Sequence, residues 1–210
     1  MVMSMNVSRA PRTAGVLLAG GQSRRMGREK PLQTVGGVTL VERAAAALRG
    51  CVDEMLLVTN RPDLYEFLQL TIVEDAVPNR GPLGGLHAAH RKLGATRALV
   101  VASDYPFLEE DALRRILRED PKGGIVLPHV DGRPHPLCAL YAPDALAAVH
   151  EALERGELMV MSFVGRLTQT IVPQAELGGA EASRIFFNVN TPSDIERAEE
   201  ILAATEPRRR

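Results

Sequence analysis

The sequence contains no tryptophan, few aromatic residues and almost no net charge, and these shortages exclude several classes of protein. Its formal net charge is −1, and only 4% of its residues are aromatic. Single-stranded nucleic acids bind basic grooves lined with aromatic side chains, so we expect no nucleic-acid partner. Any anion-binding site must be local, because the whole chain provides no positive field.

Cysteine and long apolar runs are scarce as well. Cys51 and Cys138 are too few for a disulfide framework, and their spacing fits no zinc motif. Residues 1–13 lack the apolar core of a signal peptide, and no stretch approaches the ~18 apolar residues of a membrane span. We therefore expect a cytoplasmic protein without membrane association.

Apolar residues are plentiful, at 45% of 210 residues, and the chain length favours one domain with a real core. Both ends are polar and irregular. We predict a flexible N-terminus over residues 1–13, one domain over 14–204 and a flexible tail over 205–210. The tail ends in three arginines, whereas a nucleic-acid patch has about five or more basic residues.

Apolar runs of strand length alternate with helical patterns along the chain. Thr39 and Glu42 form a capping-box pattern, and Gly50 stands where a helix C′ glycine belongs. The turn Asp131-Gly132 predicts two strands within 124–141. The other predicted strands are 14–19, 54–59, 71–73, 97–102, 168–172 and 186–189, and the other helical segments are 83–93, 109–119, 144–155, 159–166 and 193–204. This alternation predicts one α/β domain with a mostly parallel sheet, mixed in its second half, and helices on both faces.

The first strand is followed by a loop that carries glycine and positive charge. LLAGGQSRRMGREK, residues 17–30, leaves the sheet where α/β proteins bind ligands. Its glycines allow close approach of the backbone to a ligand, and its arginines and Lys30 suit phosphate oxygens. It matches neither the P-loop nor the dinucleotide fingerprint. From these residues alone, a solvated turn remains an alternative.

Two acids also follow predicted strands at this edge. Asp104 follows 97–102 after one intervening residue, and Asp75 follows 71–73 in the same way. A carboxylate there can hold Mg²⁺ against the phosphates of a nucleotide, or it can serve a turn or helix cap. Residues 81–85 begin a predicted helix. Its first N–H groups could face the ligand; alternatively, its glycines only permit tight packing of the helix.

In combination, these segments resemble the molybdenum cofactor guanylyltransferases and their nucleotidyltransferase relatives. LAGGQSRRMGREK (18–30) closely resembles the family signature LAGG-x-S-x-RMG-x-x-K. IVEDAVPNRGPLGGL (72–86) and VVASDYPFL (100–108) are similar to its acid followed by GPL-x-G and its strand ending in D-x-P. HPLCALY (135–141) and FNVNTPSD (187–194) resemble its later motifs, which are narrower to the family.

The resemblance implies a single-domain, Rossmann-like nucleotidyltransferase fold with three layers, α/β/α, around a mostly parallel mixed sheet. It implies an enzyme that joins GMP from GTP to the terminal phosphate of molybdopterin, with Mg²⁺, and releases pyrophosphate. The implied partners are GTP, molybdopterin or molybdenum cofactor, proteins that supply this cofactor and the molybdoenzymes that accept it.

The resemblance also implies site residues, by position. The nucleotide-binding residues are Leu18, Ala19, Gly20, Gly21, Lys30, Asn60, Asp75 and Asp104, of which Asp104 would hold Mg²⁺. Lys30 and Asp104 would be catalytic, and Arg24 or Arg25 would help Lys30 to stabilise the departing pyrophosphate. His135, Pro136, Asn188 and Asn190 would lie near the pterin substrate. No histidine is assigned as a general base, because a phosphate with a second pKa of about 6 is already a nucleophile.

One residue points to the base of the nucleotide. Relatives that use CTP tend to carry LAAG where this chain has Leu18-Ala19-Gly20-Gly21, so the resemblance implies GTP. The missing methyl group at Gly21 leaves room for the larger purine. Gly21→Ala is therefore expected to weaken GTP use relative to CTP use, as measured by kcat/KM for each nucleotide. An equal loss for both nucleotides would refute this assignment.

One segment departs from the family pattern. Family members often carry arginine soon after the glycine at the position of Gly156, whereas here Glu157-Leu158-Met159 follows and the next basic residue is Arg166. The departure argues against an anion-binding role of this segment.

Two alternatives to a guanylyltransferase remain open from the sequence. One is a related nucleotidyltransferase that uses CTP or another acceptor, and the other is a GTP-binding protein without catalysis. An RNA-binding role fits neither the charge nor the aromatic content.

Overall fold

The computed structural model describes residues 12–20, 29–74 and 80–205. The strands within these ranges are β1 (Thr13–Leu18), β2 (Thr34–Val35), β3 (Val38–Thr39), β4 (Glu54–Val58), β5 (Thr71–Val73), β6 (Arg97–Ala102), β7 (Ile125–Val130), β8 (Arg133–Pro134), β9 (Cys138–Tyr141) and β10 (Gln169–Pro173). The α-helices are α1 (Leu40–Arg49), α2 (Gly81–Leu93), α3 (Glu110–Arg118), α4 (Pro143–Glu154), α5 (Val160–Val164), α6 (Ala182–Ile185) and α7 (Pro192–Thr205). None of the described helices is long and apolar enough to cross a bilayer.

A mixed, mostly parallel sheet forms the centre of the molecule. Its order is β10-β7-β9-β6-β1-β4-β5, with β8 paired to β7, and β2 and β3 form a separate ribbon. In the central strand β1, Val16 lies opposite Leu56 of β4 and Val100 of β6, both in parallel register. β9 runs antiparallel to β6 and β7. The predicted sheet type is confirmed, and all of its strands except β8 and β9 share one direction.

Helices cover both faces of this sheet, so the predicted three layers are confirmed. Successive side chains of a strand point to opposite faces, and β1 shows this clearly. Leu17 belongs to a buried cluster with Leu48 of α1 and Leu113 of α3. Val16 belongs to a second cluster, which Leu86 of α2 completes on the opposite face. Because helices cover both faces, a ligand can reach the sheet only around its perimeter, which includes the carboxyl ends of the parallel strands.

The predicted capping box at the start of α1 is confirmed. The amide of Glu42 donates to Oγ1 of Thr39 at 3.3 Å, and the amide of Thr39 donates to Oε2 of Glu42 at 3.0 Å. The expectation for Gly50 is wrong in part: it ends the helix with φ at −81°, not in the left-handed region of a C′ glycine. A Cβ atom at Gly50 would contact the carboxylate at the flexible end of the Glu110 side chain, which would have to move.

The segment 124–141 forms three strands rather than the two predicted. The turn Asp131-Gly132 is where the sequence places it, with φ of 51° and 70°, and it joins β7 to the short β8. Three residues then leave the ladder before β9 returns between β7 and β6. This interruption puts residues 135–137 at the carboxyl edge of the parallel strands.

The strand predicted over 186–189 is wrong. Phe186 ends α6, and residues 187–190 have no regular structure. The apolar pattern arises because Phe186 and Val189 are buried in two different clusters. A single backbone bond, from the amide of Val189 to the carbonyl of Asp104 at 2.9 Å, ties this segment to the end of β6.

Candidate active site

The carboxyl ends of β1, β4 and β6 lie side by side, and the predicted site residues follow them. The amide of Ser103 donates to the carbonyl of Leu18 at 3.1 Å, and the amide of Ala19 donates to the carbonyl of Val58 at 3.0 Å. These bonds extend the sheet by one residue beyond each strand. The chain then leaves the sheet at Gly20, Asn60 and Asp104, so these positions open onto one edge.

Three predicted residues that are far apart in the sequence meet at this edge. Nζ of Lys30 lies 3.2 Å from Oδ2 of Asp104 and donates to Oδ1 of Asn190 at 3.1 Å. Lys30 begins a single 3₁₀ turn whose Pro31 is buried, which fixes the direction of the lysine. The structure therefore joins the basic loop, the end of β6 and the segment before α7 into one cluster.

The carboxylate of Asp104 is largely withdrawn from water. Burial raises its pKa, an effect that the charge of Lys30 opposes. Its Oδ2 accepts from Lys30, whereas Oδ1 is buried and has no hydrogen-bond partner among the described residues. A buried carboxylate oxygen without a partner is costly, so a cation at this oxygen is chemically well matched.

The type of cation follows from the small number of acidic ligands. Within the ranges that the structure describes, no group of three or more His, Cys, Asp or Glu side chains could hold a metal ion. Mg²⁺ binds through one or two carboxylates together with substrate phosphates. Asp104 thus fits a divalent cation that arrives with a nucleotide, rather than a cage made only of protein side chains.

Asn190 is positioned by the capping of α7. The amides of Asn190 and Thr191 both donate to Oδ2 of Asp194 at 2.8 Å, and the amide of Asp194 donates to Oγ1 of Thr191 at 3.3 Å. Burial acts to raise the pKa of Asp194, but the hydrogen bonds from residues 190 and 191 outweigh it and lower that pKa. Asp194 was missed as a site residue, although Thr191-x-x-Asp194 fits the capping pattern.

Replacing Asp194 tests this positioning. Asp194→Ala removes the acceptor for two amides, so we expect a loss of about 1 kcal/mol in the free energy of unfolding and a clear fall in catalytic activity. Asp194→Asn keeps one acceptor oxygen and is expected to retain most of both properties. Urea unfolding and turnover assays measure the two effects. Full activity in a destabilised Asp194→Ala protein would show that the cap does not orient Asn190.

The remaining residues predicted for the nucleotide are distributed between described and undescribed segments. Leu18 and Ala19 are buried, and Gly20 is exposed, with no atom of the described residues within 4 Å of the position of a Cβ. Asn60 is exposed at the end of β4. Gly21, Arg24, Arg25 and Asp75 lie outside the described residues. Their roles therefore stay predictions.

The N-terminus of α2 stands beside these positions. Gly81, its first residue, has a φ of 58°, a conformation that glycine adopts without strain. A Cβ at Gly85 would lie 3.1 Å from Cδ2 of Leu18 and 3.6 Å from Cγ1 of Val58. Of the two alternatives for the glycines within 81–85, tight packing is therefore supported at Gly85. The small residue brings the helix close to the ends of β1 and β4.

A cavity of about 720 Å³ opens next to Asp104, a size in the range of small-molecule sites. It brings together all four residues predicted for the second substrate. The described lining residues are Asp104, Tyr105, Val130, Asp131, Arg133, Pro134, His135, Pro136, Leu137, Ser183, Phe186, Phe187, Asn188, Asn190 and Asp194. The cavity lies between the irregular segment 135–137 and the segment before α7.

One wall of the cavity is aromatic. Oη of Tyr105 lies 3.2 Å from Nδ1 of His135, and the His135 ring centroid lies 5.0 Å from that of Phe186. Burial lowers the pKa of His135, against a hydrogen bond to the backbone of Val130 that raises it. The imidazole therefore forms part of the wall between Tyr105 and Phe186. Tyr105 and Phe186 were not predicted as residues of the site, although Tyr105 is adjacent to Asp104 in the sequence.

The segment that departs from the family pattern lies away from this cavity. Glu157 accepts from Nη1 of Arg166 at 2.8 Å, and their ion pair lowers the pKa of the Glu157 carboxyl. Neither residue belongs to the described cavity lining. The segment 157–166 therefore supplies no free cation to the cavity in this structure.

Comparison with known proteins gives consistent results. Residues 15–170 match the MobA-like NTP transferase domain. The chain is 34% identical to a probable molybdenum cofactor guanylyltransferase of Pelotomaculum thermopropionicum, over 88% of this chain and 90% of the relative. It is also 34% identical to a molybdenum cofactor guanylyltransferase of Nitrobacter hamburgensis, over 92% of this chain and 96% of the relative.

A solved structure supports the same assignment. Molybdopterin-guanine dinucleotide biosynthesis protein A from Archaeoglobus fulgidus superposes with a TM-score of 0.77 at 29% identity. The match covers 91% of this chain and 100% of that one. Since the domain match spans well over half of the sequence and the relatives align along nearly their whole length, the chain belongs to the MobA-like NTP transferase family and is a nucleotidyltransferase.

Proposed function

We propose that the protein transfers GMP from GTP to the terminal phosphate of molybdopterin, forming molybdopterin guanine dinucleotide and releasing pyrophosphate. The cluster of Lys30, Asp104 and Asn190 beside the 720 Å³ cavity is the observation that carries this proposal. It supports the proposal because an ammonium group and a largely buried carboxylate lie between the edge proposed for the nucleotide and the cavity proposed for the acceptor. The aligned relatives are named molybdenum cofactor guanylyltransferases, which supports a guanylyl donor and this cofactor as the acceptor.

The reaction needs alignment and charge neutralisation more than a protein nucleophile. An oxygen of the acceptor phosphate attacks the α-phosphorus of GTP, a new P–O bond forms, and the bond to the departing pyrophosphate breaks. Because a phosphate monoester is already ionised near neutral pH, no side chain has to remove a proton from it. Catalysis then comes from holding the two phosphates in line and offsetting their charge.

Each residue of the cluster has a distinct role in this proposal. Lys30 would neutralise the pyrophosphate as it leaves, together with Arg24 or Arg25 if the loop brings them close. Asn190 holds the ammonium of Lys30 from the side of the acceptor cavity. Nucleotidyltransferases of this family typically need a divalent metal, and we assign Mg²⁺ to Asp104. When bound, Mg²⁺ would supply positive charge at the triphosphate.

The two substrates would occupy opposite sides of the cluster. The nucleotide would lie over the loop that begins at Leu18–Gly20, near Asn60 and Asp75. The acceptor would lie in the cavity, against His135, Pro136 and the segment that carries Asn188 and Asn190. The partly aromatic wall of the cavity suits a planar pterin ring.

Pyrophosphate release tests the proposal directly. GTP and CTP are each offered with Mg²⁺, with and without molybdopterin, and pyrophosphate is measured. We expect release from GTP only when molybdopterin is present. Release from CTP would assign the protein to the cytidylyl relatives and refute the role of Gly21. GTP binding without any release would identify a nucleotide-binding protein that lacks this activity.

A further inference from the structure

Arg133 is the one positively charged residue in the described lining of the cavity. Among the residues that the structure describes, its guanidinium makes no ion pair and no side-chain hydrogen bond. The carboxylates of the lining are already engaged: Asp104 with Lys30, Asp131 with Ser183 at 2.8 Å and Asp194 with the cap of α7. Arg133 is therefore a cation without a structural partner inside a ligand-sized cavity.

The backbone that carries Arg133 is held firmly. Arg133 pairs with Val130 across the β7–β8 turn. The amide of Asp131 donates to Oε1 of Gln174 at 2.9 Å, and Oγ of Ser183 donates to Oδ1 of Asp131. These bonds fix the turn to the segment 174–183. The guanidinium thus stands on a rigid base, which lowers the entropic cost of using it to bind a ligand.

Its position separates it from the reacting phosphates. The ring of His135 contacts Tyr105, which directly follows Asp104. Arg133 lies two residues before His135 in the cavity lining, and an extended chain rises about 3.3 Å per residue, so the backbones of the two residues are roughly 7 Å apart. An anion bound by Arg133 is therefore distinct from the phosphate beside Lys30, yet one small molecule can reach both.

No other cation is available for this role from the segment after Gly156. Glu157-Leu158-Met159 takes the place where resembling sequences often have arginine, and Glu157 holds Arg166 in an ion pair. We propose that Arg133 determines acceptor specificity by binding the anionic dithiolene sulfurs of molybdopterin. This inference rests on the proposed function, because it takes molybdopterin as the acceptor.

The chemistry of the two partners is well matched. The dithiolene lies a short carbon chain away from the terminal phosphate in molybdopterin, so it provides a second negative group near the first. A neighbouring arginine stabilises thiolate over thiol. Its planar fork of donors can contact both sulfurs of the pair at once.

The test replaces Arg133 in the full-length protein and measures kcat and KM for each substrate under anaerobic conditions. Arg133→Gln is expected to raise the KM for molybdopterin about 10- to 100-fold, the usual effect of losing a hydrogen bond to a charged group. The kcat and the KM for GTP should stay unchanged, which also shows that the variant is folded. Arg133→Lys should give an intermediate KM, and Arg166→Gln, the matched control, should leave KM unchanged.

A second arm identifies the group that Arg133 contacts. Molybdopterin alkylated at both sulfurs with iodoacetamide lacks the thiolate charge. We expect wild type and Arg133→Gln to use this acceptor with equal KM. A similar rise in KM for both acceptors would place Arg133 on another part of the molecule and overturn the inference, as would an unchanged KM for molybdopterin. Absence of turnover by the wild-type protein would instead refute the proposed function, and the inference with it.

Discussion

Asp104→Ala is expected to abolish Mg²⁺-dependent pyrophosphate release while the protein stays folded. The variant removes the buried oxygen Oδ1, which has no hydrogen-bond partner among the described residues, and also the acceptor of Lys30. Loss of one preorganised charge-stabilising group typically lowers kcat by about 10²–10³, and loss of the metal as well would add to this. Initial rates at several Mg²⁺ concentrations measure the effect. Near-normal activity would refute the metal assignment.

Stability should change in the opposite direction to activity at this residue. Burial raises the pKa of Asp104 in the folded protein, so the folded state binds the proton more tightly than the unfolded chain, whose pKa is about 3.9. The carboxylate therefore destabilises the fold increasingly as the pH rises above about 4. In EDTA, Asp104→Asn is expected to be more stable than wild type at pH 7, and the difference should shrink as the pH falls towards 4. Urea unfolding across this range measures it, and a wild-type advantage at pH 7 would contradict the sign.

Lys30→Ala is the second large effect that we expect. Nζ of Lys30 lies 3.2 Å from Oδ2 of Asp104, and its side chain is only 20% exposed, so its charge is screened little by solvent. Without it, the departing pyrophosphate loses a fixed positive group, and kcat is expected to fall by about 10²–10³. GTP affinity should fall as well, since in the proposed complex the same ammonium would contact the phosphates of bound GTP.

Two further variants separate this effect from a general loss of charge. Lys30→Arg keeps the charge but changes its shape, and partial activity is expected. Lys92→Ala removes an exposed lysine from the last turn of α2, at the opposite end from the site, and should leave kcat unchanged. An unchanged rate and GTP Kd in Lys30→Ala would exclude Lys30 from the phosphate site.

Strand and helix positions could be predicted well where one local signal dominated. β6 has the predicted bounds because it is an apolar run buried in the centre of the sheet. β5 has them as well, although it is a half-buried edge strand. The start of α1 could be predicted from Thr39 and Glu42, since a capping box acts over three residues. In the segment 186–189, by contrast, the local apolar pattern does not correspond to a strand. Its apolar residues are buried, as the pattern indicates, but in loops and in two different clusters.

The site could be predicted only as a set of separate motifs. The family resemblance named Lys30, Asp104 and Asn190, and the structure brings their side chains into contact. Nothing in the residue pattern gave the order of the strands or the interruption between β8 and β9. The aromatic wall of Tyr105, His135 and Phe186 and the free guanidinium of Arg133 therefore could not be predicted.

The sequence by itself determined the α/β class, the capping box of α1, the Asp131-Gly132 turn and the family, because each depends on residues close together in the chain or on matched motifs. Only the tertiary structure decided that Lys30 meets residues 74 and 160 positions away. It also decided that Asp194 bonds the backbone of Asn190 next to this contact, and that Arg133 is the one positively charged residue in the described lining of the cavity. These features depend on which strand ends lie side by side, and that order is set by packing of the whole sheet between its two helical layers rather than by any local segment.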